Sequence, residues 1–221
     1  MKRNPLGFTL IELLVVISII AILAATAVPV INGAILRGLQ ANALSNARQI
    51  AMALKMFAND NGGSFPSDTN SYGEKIVTSN DAFRSLVPNY TDNEQIFAVS
   101  RSKAGPKADN KTDPAQEILR PGENHFAYIT GLSTTSNSNW PVVVDSTDGS
   151  GHYTTVEGDY GGTWKGMTAI AASVDGSVKI VTLQGTGTRR FLPRFDDPTK
   201  DGLAVSDYMG SDAKLLEPAR K

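Results

Sequence analysis

Cysteine is absent from the 221-residue chain. That absence excludes a disulfide framework, thiolate chemistry and thiolate-ligated zinc, but leaves the compartment open, because exported proteins also fold without disulfides. Histidine is scarce. His125 and His152 are the only imidazoles, so His-based catalysis or metal binding has little to draw on. An excess of one charge is missing too: 21 basic against 22 acidic residues give a net charge of −1. With no basic excess or stripe to attract phosphate, no nucleic-acid partner is expected. Charge is also missing locally. Between Arg3 and Arg37 the one ionisable side chain is Glu12.

That uncharged stretch is the most informative part of the chain. Residues 8–31 are almost wholly apolar, and about 20 such residues suffice to span a bilayer as a helix. Lys2 and Arg3 precede the run, which predicts a cytoplasmic N-terminus, a single span and a bulk domain exported across the membrane. The alternative is a buried core helix, which is rarely this long or this evenly apolar. A second alternative is a secretory signal peptide that releases a soluble periplasmic binding protein. Ala25-Thr26-Ala27 fits its small-x-small cleavage rule, yet the apolar region exceeds the usual 7–15 residues and runs on into more helix.

The helix pattern does not stop with the apolar run. Ile35, Leu39, Ala43, Ala47, Ile50, Leu54 and Phe57 recur at spacings of three and four and form one stripe. Asn59-Asp60-Asn61-Gly62-Gly63 supplies the stop, since Gly and Asn accept the left-handed conformation that closes a helix. A helix over residues 8–58 would be roughly 75 Å long at 1.5 Å per residue. Pro29 lies inside it and removes one backbone hydrogen bond, so a kink near residues 28–33 is expected. A helix that ends at Ala27 is the other reading.

Beyond residue 60 the elements shorten. Asn80 or Asp81 is a candidate cap for a brief helix through Phe83 and Leu86, stopped by Pro88. Residues 100–124 are polar and interrupted by Pro106, Pro114 and Pro121, and read as a long loop. Strands are predicted at 125–132, 140–146, 167–174 and 177–183. The last two are joined by Asp175-Gly176, a hairpin signal because its turn needs positive φ. The fold class is therefore α+β: a long N-terminal helix packed on a small antiparallel sheet. The expected organisation is a leader at 1–7, a transmembrane half-helix at 8–31, an amphipathic half-helix at 32–60, a head at 61–183 and an irregular tail at 184–221.

The opening residues Gly7-Phe8-Thr9-Leu10-Ile11-Glu12, preceded by Lys2 and Arg3 and followed by the apolar helix with its proline, resemble type IV pilin and type II secretion pseudopilin precursors. The basic leader, the Gly-Phe junction, the lone Glu and the apolar run must occur in fixed order, across some 25 residues. The resemblance implies a pilin-like fold, cleavage between Gly7 and Phe8 by a membrane prepilin peptidase, and methylation of the Phe8 amino group. It also implies self-assembly into a filament, driven by an inner-membrane platform and an ATPase. Downstream, Gly63-Ser64-Phe65-Pro66, Asn124-His125-Phe126-Ala127-Tyr128 and Trp140-Pro141-Val142-Val143-Val144-Asp145 are looser likenesses to pseudopilins. Pilins of this kind close a C-terminal loop with a disulfide, which this chain lacks, and some major pseudopilins hold it with calcium. Asp196, Asp197 and Asp201 are the candidates for that role, against the plainer reading of a solvated acidic tail.

Residue chemistry adds its own argument at two positions. Glycine before the scissile bond lets a peptidase approach the backbone. A carboxylate in hydrocarbon costs on the order of 3 kcal/mol, so Glu12 needs a partner or hydration. The named partner is the Phe8 ammonium of a neighbouring subunit, which makes Glu12 the candidate assembly residue. An enzyme is not expected. His125, Asp145, Asp148, His152, Glu157 and Asp159 match no ligand or acid–base spacing, and His125 reads as a partly exposed packing residue at a strand start. Trp140, Trp164, Tyr153 and Tyr160 are either a ligand-binding surface or core. No catalytic residue, metal or cofactor is assigned.

Overall fold

The computed structural model describes residues 8–113 and 117–221, with the side chain of Pro29 left aside. The leader 1–7, including Gly7, lies outside the described residues, as do residues 114–116. The chain divides between Ala41 and Asn42 into two units.

Helix α1 runs without interruption over Leu10–Asp60. It passes through both Ala27 and Pro29, so the helix does not end at Ala27. In the first unit the large apolar side chains are exposed, from Leu10 and Ile11 through Leu23 to Ile31. The segment is long and apolar enough to cross a membrane.

In the second unit the same helix turns amphipathic in fact as well as in pattern. Ala43, Ala47, Ile50, Leu54 and Ala58 are buried, while Met52 and Met56 face outward. The buried stripe begins later than its sequence pattern, because Ile35 is exposed. Many of its members are alanines, whose small side chains allow close approach of whatever packs on them. The helix closes where the Asn-Gly-Gly signal stands. Gly62 and Gly63 both take positive φ, and the Gly63 N–H donates to the Ala58 carbonyl at 2.7 Å.

Helix α2, Ser79–Arg84, is short and capped by Thr78. Thr78 N–H donates to Asp81 Oδ2 at 2.8 Å, and Asp81 N–H reaches Thr78 Oγ1 at 3.4 Å, a reciprocal capping box. The cap expected at Asn80 or Asp81 is thus corrected to Thr78. Asn80 is buried inside the helix, where its amide donates to the Leu119 carbonyl and accepts from Ala219 N–H.

Among the described residues seven strands follow: β1 Phe126–Thr130, β2 Pro141–Asp145, β3 Tyr153–Thr154, β4 Thr168–Ser173, β5 Val178–Thr182, β6 Arg189–Arg190 and β7 Lys214–Leu216. Five form one antiparallel sheet in the order β5-β4-β2-β1-β7, and β3 pairs with β6 apart from it. The four predicted strands are β1, β2, β4 and β5. Gly176, at φ 84°, makes the β4–β5 turn as its Asp-Gly pair requires. Every residue of β1 and β2 is buried, so both faces of the central strands are covered. Around β1, Phe83 packs edge-on to Tyr128 at 5.5 Å and tilts against Phe97 at 5.2 Å.

The tail needs correction. Residues 184–221, expected to be irregular, supply β6 and β7 and bury Leu192, Leu203, Val205, Met209 and Ala213. β7 extends the sheet past β1, pairing Tyr128 with Leu216. Its register is reinforced by Glu217, whose carbonyl accepts Ser79 N–H at 3.0 Å.

Candidate functional site

Phe8 and Thr9 precede α1, and Glu12 stands in its first turn. Thr9 N–H and Thr9 Oγ1 both donate to Glu12 Oε2, at 2.8 and 2.7 Å, while Glu12 N–H donates back to Thr9 Oγ1 at 3.3 Å. This is a capping box with Thr9 as the cap and Glu12 three residues on. The carboxylate therefore satisfies one backbone donor and the Thr9 hydroxyl, and its charge complements the positive end of the helix dipole. Around it, Phe8, Ile11, Val15 and Val16 form an apolar, open surface. A polar group is fixed in place on a face that is otherwise suited only to lipid or to another apolar helix.

The polar residues considered for chemistry in the head fall into separate arrangements. His125 is fully buried, which corrects its expected partial exposure. Its Nε2 lies 2.7 Å from Asp145 Oδ1 and its Nδ1 lies 2.7 Å from Ser102 Oγ. Asp145 Oδ2 also accepts Trp164 Nε1–H at 2.6 Å and Ile170 N–H at 2.7 Å. Ser102 Oγ accepts from Ala104 and Gly105 N–H, so its own hydrogen goes to His125 Nδ1. His125 Nε2–H then donates to Asp145. Gly105 is required here, because a Cβ would stand 2.2 Å from the Asn124 carbonyl carbon.

Ser102, His125 and Asp145 superficially match a nucleophile–base–acid set. All three are buried and mutually satisfied, which leaves no face for a substrate. The arrangement can hold the 99–105 turn, β1, β2 and β4 together, and that is what its bonds do. Trp164 and Tyr153 are buried with it, Tyr153 donating to the Asp145 carbonyl at 3.1 Å. Of the four aromatics, two are thus core. Trp140 packs edge-on to Tyr208, and Tyr160 lies under Lys103 and Arg220.

Asp148 and His152 share the loop before β3, where Asp148 Oδ1 accepts His152 N–H at 3.3 Å. Glu157 pairs with Arg101 and Lys165, and Asp159 with Lys103. The acidic residues of the tail do not converge. Asp196 pairs with Arg194, Asp197 caps Thr199, and Asp201 accepts Leu203 N–H and faces His152 at 3.4 Å. A different set does converge: Glu94, Asp109 and Glu123 bring carboxylate oxygens within 4.8 Å of one another. Sequence spacing gives no sign of it, since Asp109 and Glu123 lie on the proline-rich loop and Glu94 lies before it in a 3-10 turn.

Residues 2–28 match the family model described as the prokaryotic N-terminal methylation motif. This N-terminus is a prepilin-type segment. It carries the signature of the type IV pilin and pseudopilin family, and the match spans the exposed apolar helix and the Thr9–Glu12 cap together. No curated protein and no solved structure matches the chain. The long helix packed on an antiparallel sheet fits the pilin-like α+β fold that the prepilin-type segment implies.

Proposed function

We propose that this chain is a structural filament subunit of the pilin or pseudopilin class, belonging to a type IV pilus-like or type II secretion assembly. A prepilin peptidase removes residues 1–7 between Gly7 and Phe8, and the Phe8 amino group is methylated. The protein waits in the cytoplasmic membrane as a single span with its N-terminus inside and its head on the far side. An inner-membrane platform and its ATPase then draw it into a filament of like subunits.

The observation that carries this reading is the coincidence, within residues 2–28, of the methylation motif with a membrane-length helix whose apolar side chains are all uncovered. Such a surface calls for lipid before assembly and neighbouring helices after it. Glu12 fits as the assembly residue, pairing with the Phe8 ammonium of a neighbour, and Pro29 as a kink where the helix lacks one backbone hydrogen bond. Release as a soluble protein after Ala27 would cut a continuous helix in its interior.

Mass spectrometry of the protein purified from membranes is the test. The expected N-terminus is Phe8, heavier by one methyl group. A chain beginning at Val28 would defeat the proposal in favour of signal-peptide release, and an intact leader would leave a plain membrane anchor.

A further inference from the structure

Glu94 opens a 3-10 turn, Glu94–Phe97, and is fully buried. Its Oε1 accepts Leu119 N–H at 2.6 Å, while its Oε2 is buried with no hydrogen-bond partner. Orphaned carboxylate oxygens inside proteins are rare because desolvation without compensation is costly. The two other carboxylates that meet it, Asp109 and Glu123, differ in exposure: Glu123 is buried and Asp109 is open to solvent. The cluster has a dry inner end and a wet outer end.

Local charge is unbalanced. Arg120 bonds Asp109, Glu117 and Glu123, and Lys111 lies 3.4 Å from both Asp109 and Glu117. Four carboxylates including Glu94 face two cations, which leaves two negative charges. The donors are all carboxylate oxygens, with no imidazole or thiolate among them, a set that suits hard divalent cations.

We propose that Glu94, Asp109 and Glu123 form a divalent-cation site of the calcium type, in which the orphaned Glu94 Oε2 is the inner ligand. Three carboxylate ligands and a partly open mouth suit the flexible coordination of calcium better than the strict octahedron of magnesium. The site lies between α2 and β1, away from the acidic residues of the tail. A bound ion would tie the 3-10 turn at residue 94 to the loops at 109 and 123, bracing a stretch that carries neither a long element nor a disulfide.

The test uses the full-length protein in detergent, stripped with chelator and titrated with calcium chloride by calorimetry and thermal melting. Saturable binding is expected at about 0.1–1 mM, as for extracytoplasmic calcium modules, with a rising melting temperature and weaker binding of magnesium. Glu94→Gln keeps an oxygen for Leu119 N–H and removes the buried charge. It should abolish the calcium-dependent shift and melt, in chelator, no lower than the unaltered protein. Asp109→Asn, at the exposed end, should weaken binding at least about tenfold, a loss of about 1.4 kcal/mol. Absence of calcium binding up to about 10 mM, ten times the weak end of that range, would overturn the site, as would binding retained by both variants. In that outcome Glu94 is simply a buried carboxylic acid.

Discussion

Tyr128 sits at the centre of β1, fully buried, its hydroxyl donating to the Pro66 carbonyl at 2.8 Å. Burial raises its pKa far above the ordinary value of a phenol, and burial does the same for Tyr153. In the unfolded chain both ionise near pH 10. The folded state therefore holds its phenolic protons where the unfolded state releases them. Their stabilising contribution is complete below pH 10 and is lost as pH rises beyond it. Stability should fall by about 1.4 kcal/mol per pH unit for each such tyrosine above pH 10. Tyr128→Phe should cost about 1 kcal/mol at pH 7 through the lost hydrogen bond, and should take about 1.4 kcal/mol per pH unit off the alkaline slope. Urea melts of the two proteins between pH 7 and 11 measure both. A slope unchanged by the substitution would show that Tyr128 ionises freely in the folded state.

At the scale of the element, α1 begins with a polar device whose two roles can be separated. Glu12 closes the capping box on Thr9 within its own chain, and the assembly reading gives it a cationic partner on another chain. Glutamine at this position preserves the cap, because its amide oxygen accepts the same Thr9 donors. It removes only the charge. Alanine removes both, at a cost near 1 kcal/mol for the cap. Glu12→Gln and Glu12→Ala should both be processed and inserted, and both should yield few filaments in sheared preparations seen by electron microscopy. Normal filaments from Glu12→Gln alone would mean that the cap, not the charge, is what assembly requires.

Elements also mark where sequence reasoning reached and where it stopped. β1, β2, β4 and β5 are legible because each is a compact apolar run bounded by turn residues, and Asp175-Gly176 fixes the hairpin between the last two. β7 is three residues long, Lys-Leu-Leu, with no alternation to read; its place depends on pairing with β1 and on Glu217, both distant in sequence. Asn80 resembles a cap for α2, but its amide is taken up by Leu119 and Ala219, contacts made only in the folded head, and Thr78 is the cap. Likewise nothing local in the sequence announces that His125 and Asp145 meet. Glu94, Asp109 and Glu123 likewise meet only in the folded head. The membrane-length helix is legible from the sequence, since composition and order alone define it.

At the scale of the whole molecule, the two units have opposite relations to water. Residues 10–31 carry most of the exposed large apolar side chains, whereas the unit from Asn42 buries Ala43, Ala47, Ile50, Leu54 and Ala58 among its core. The first half of α1 thus contributes insolubility without contributing to the head's core, and the second half is part of that core. Burying Ile50 and Leu54 is worth roughly 1.5–3 kcal/mol each, which in sum reaches the low end of the about 5–15 kcal/mol that holds an ordinary domain, and losing the stripe would also uncover the apolar residues beneath it. A chain beginning at Asn32 should therefore be soluble without detergent, monomeric, and equal in urea midpoint to the head of the full-length protein. One beginning at Asn61, lacking the stripe, should aggregate or show no cooperative transition. Circular dichroism and urea denaturation of the two decide it. A cooperative transition of equal midpoint from the chain beginning at Asn61 would mean that the sheet stands without its helix, and that α1 serves the membrane and the filament alone.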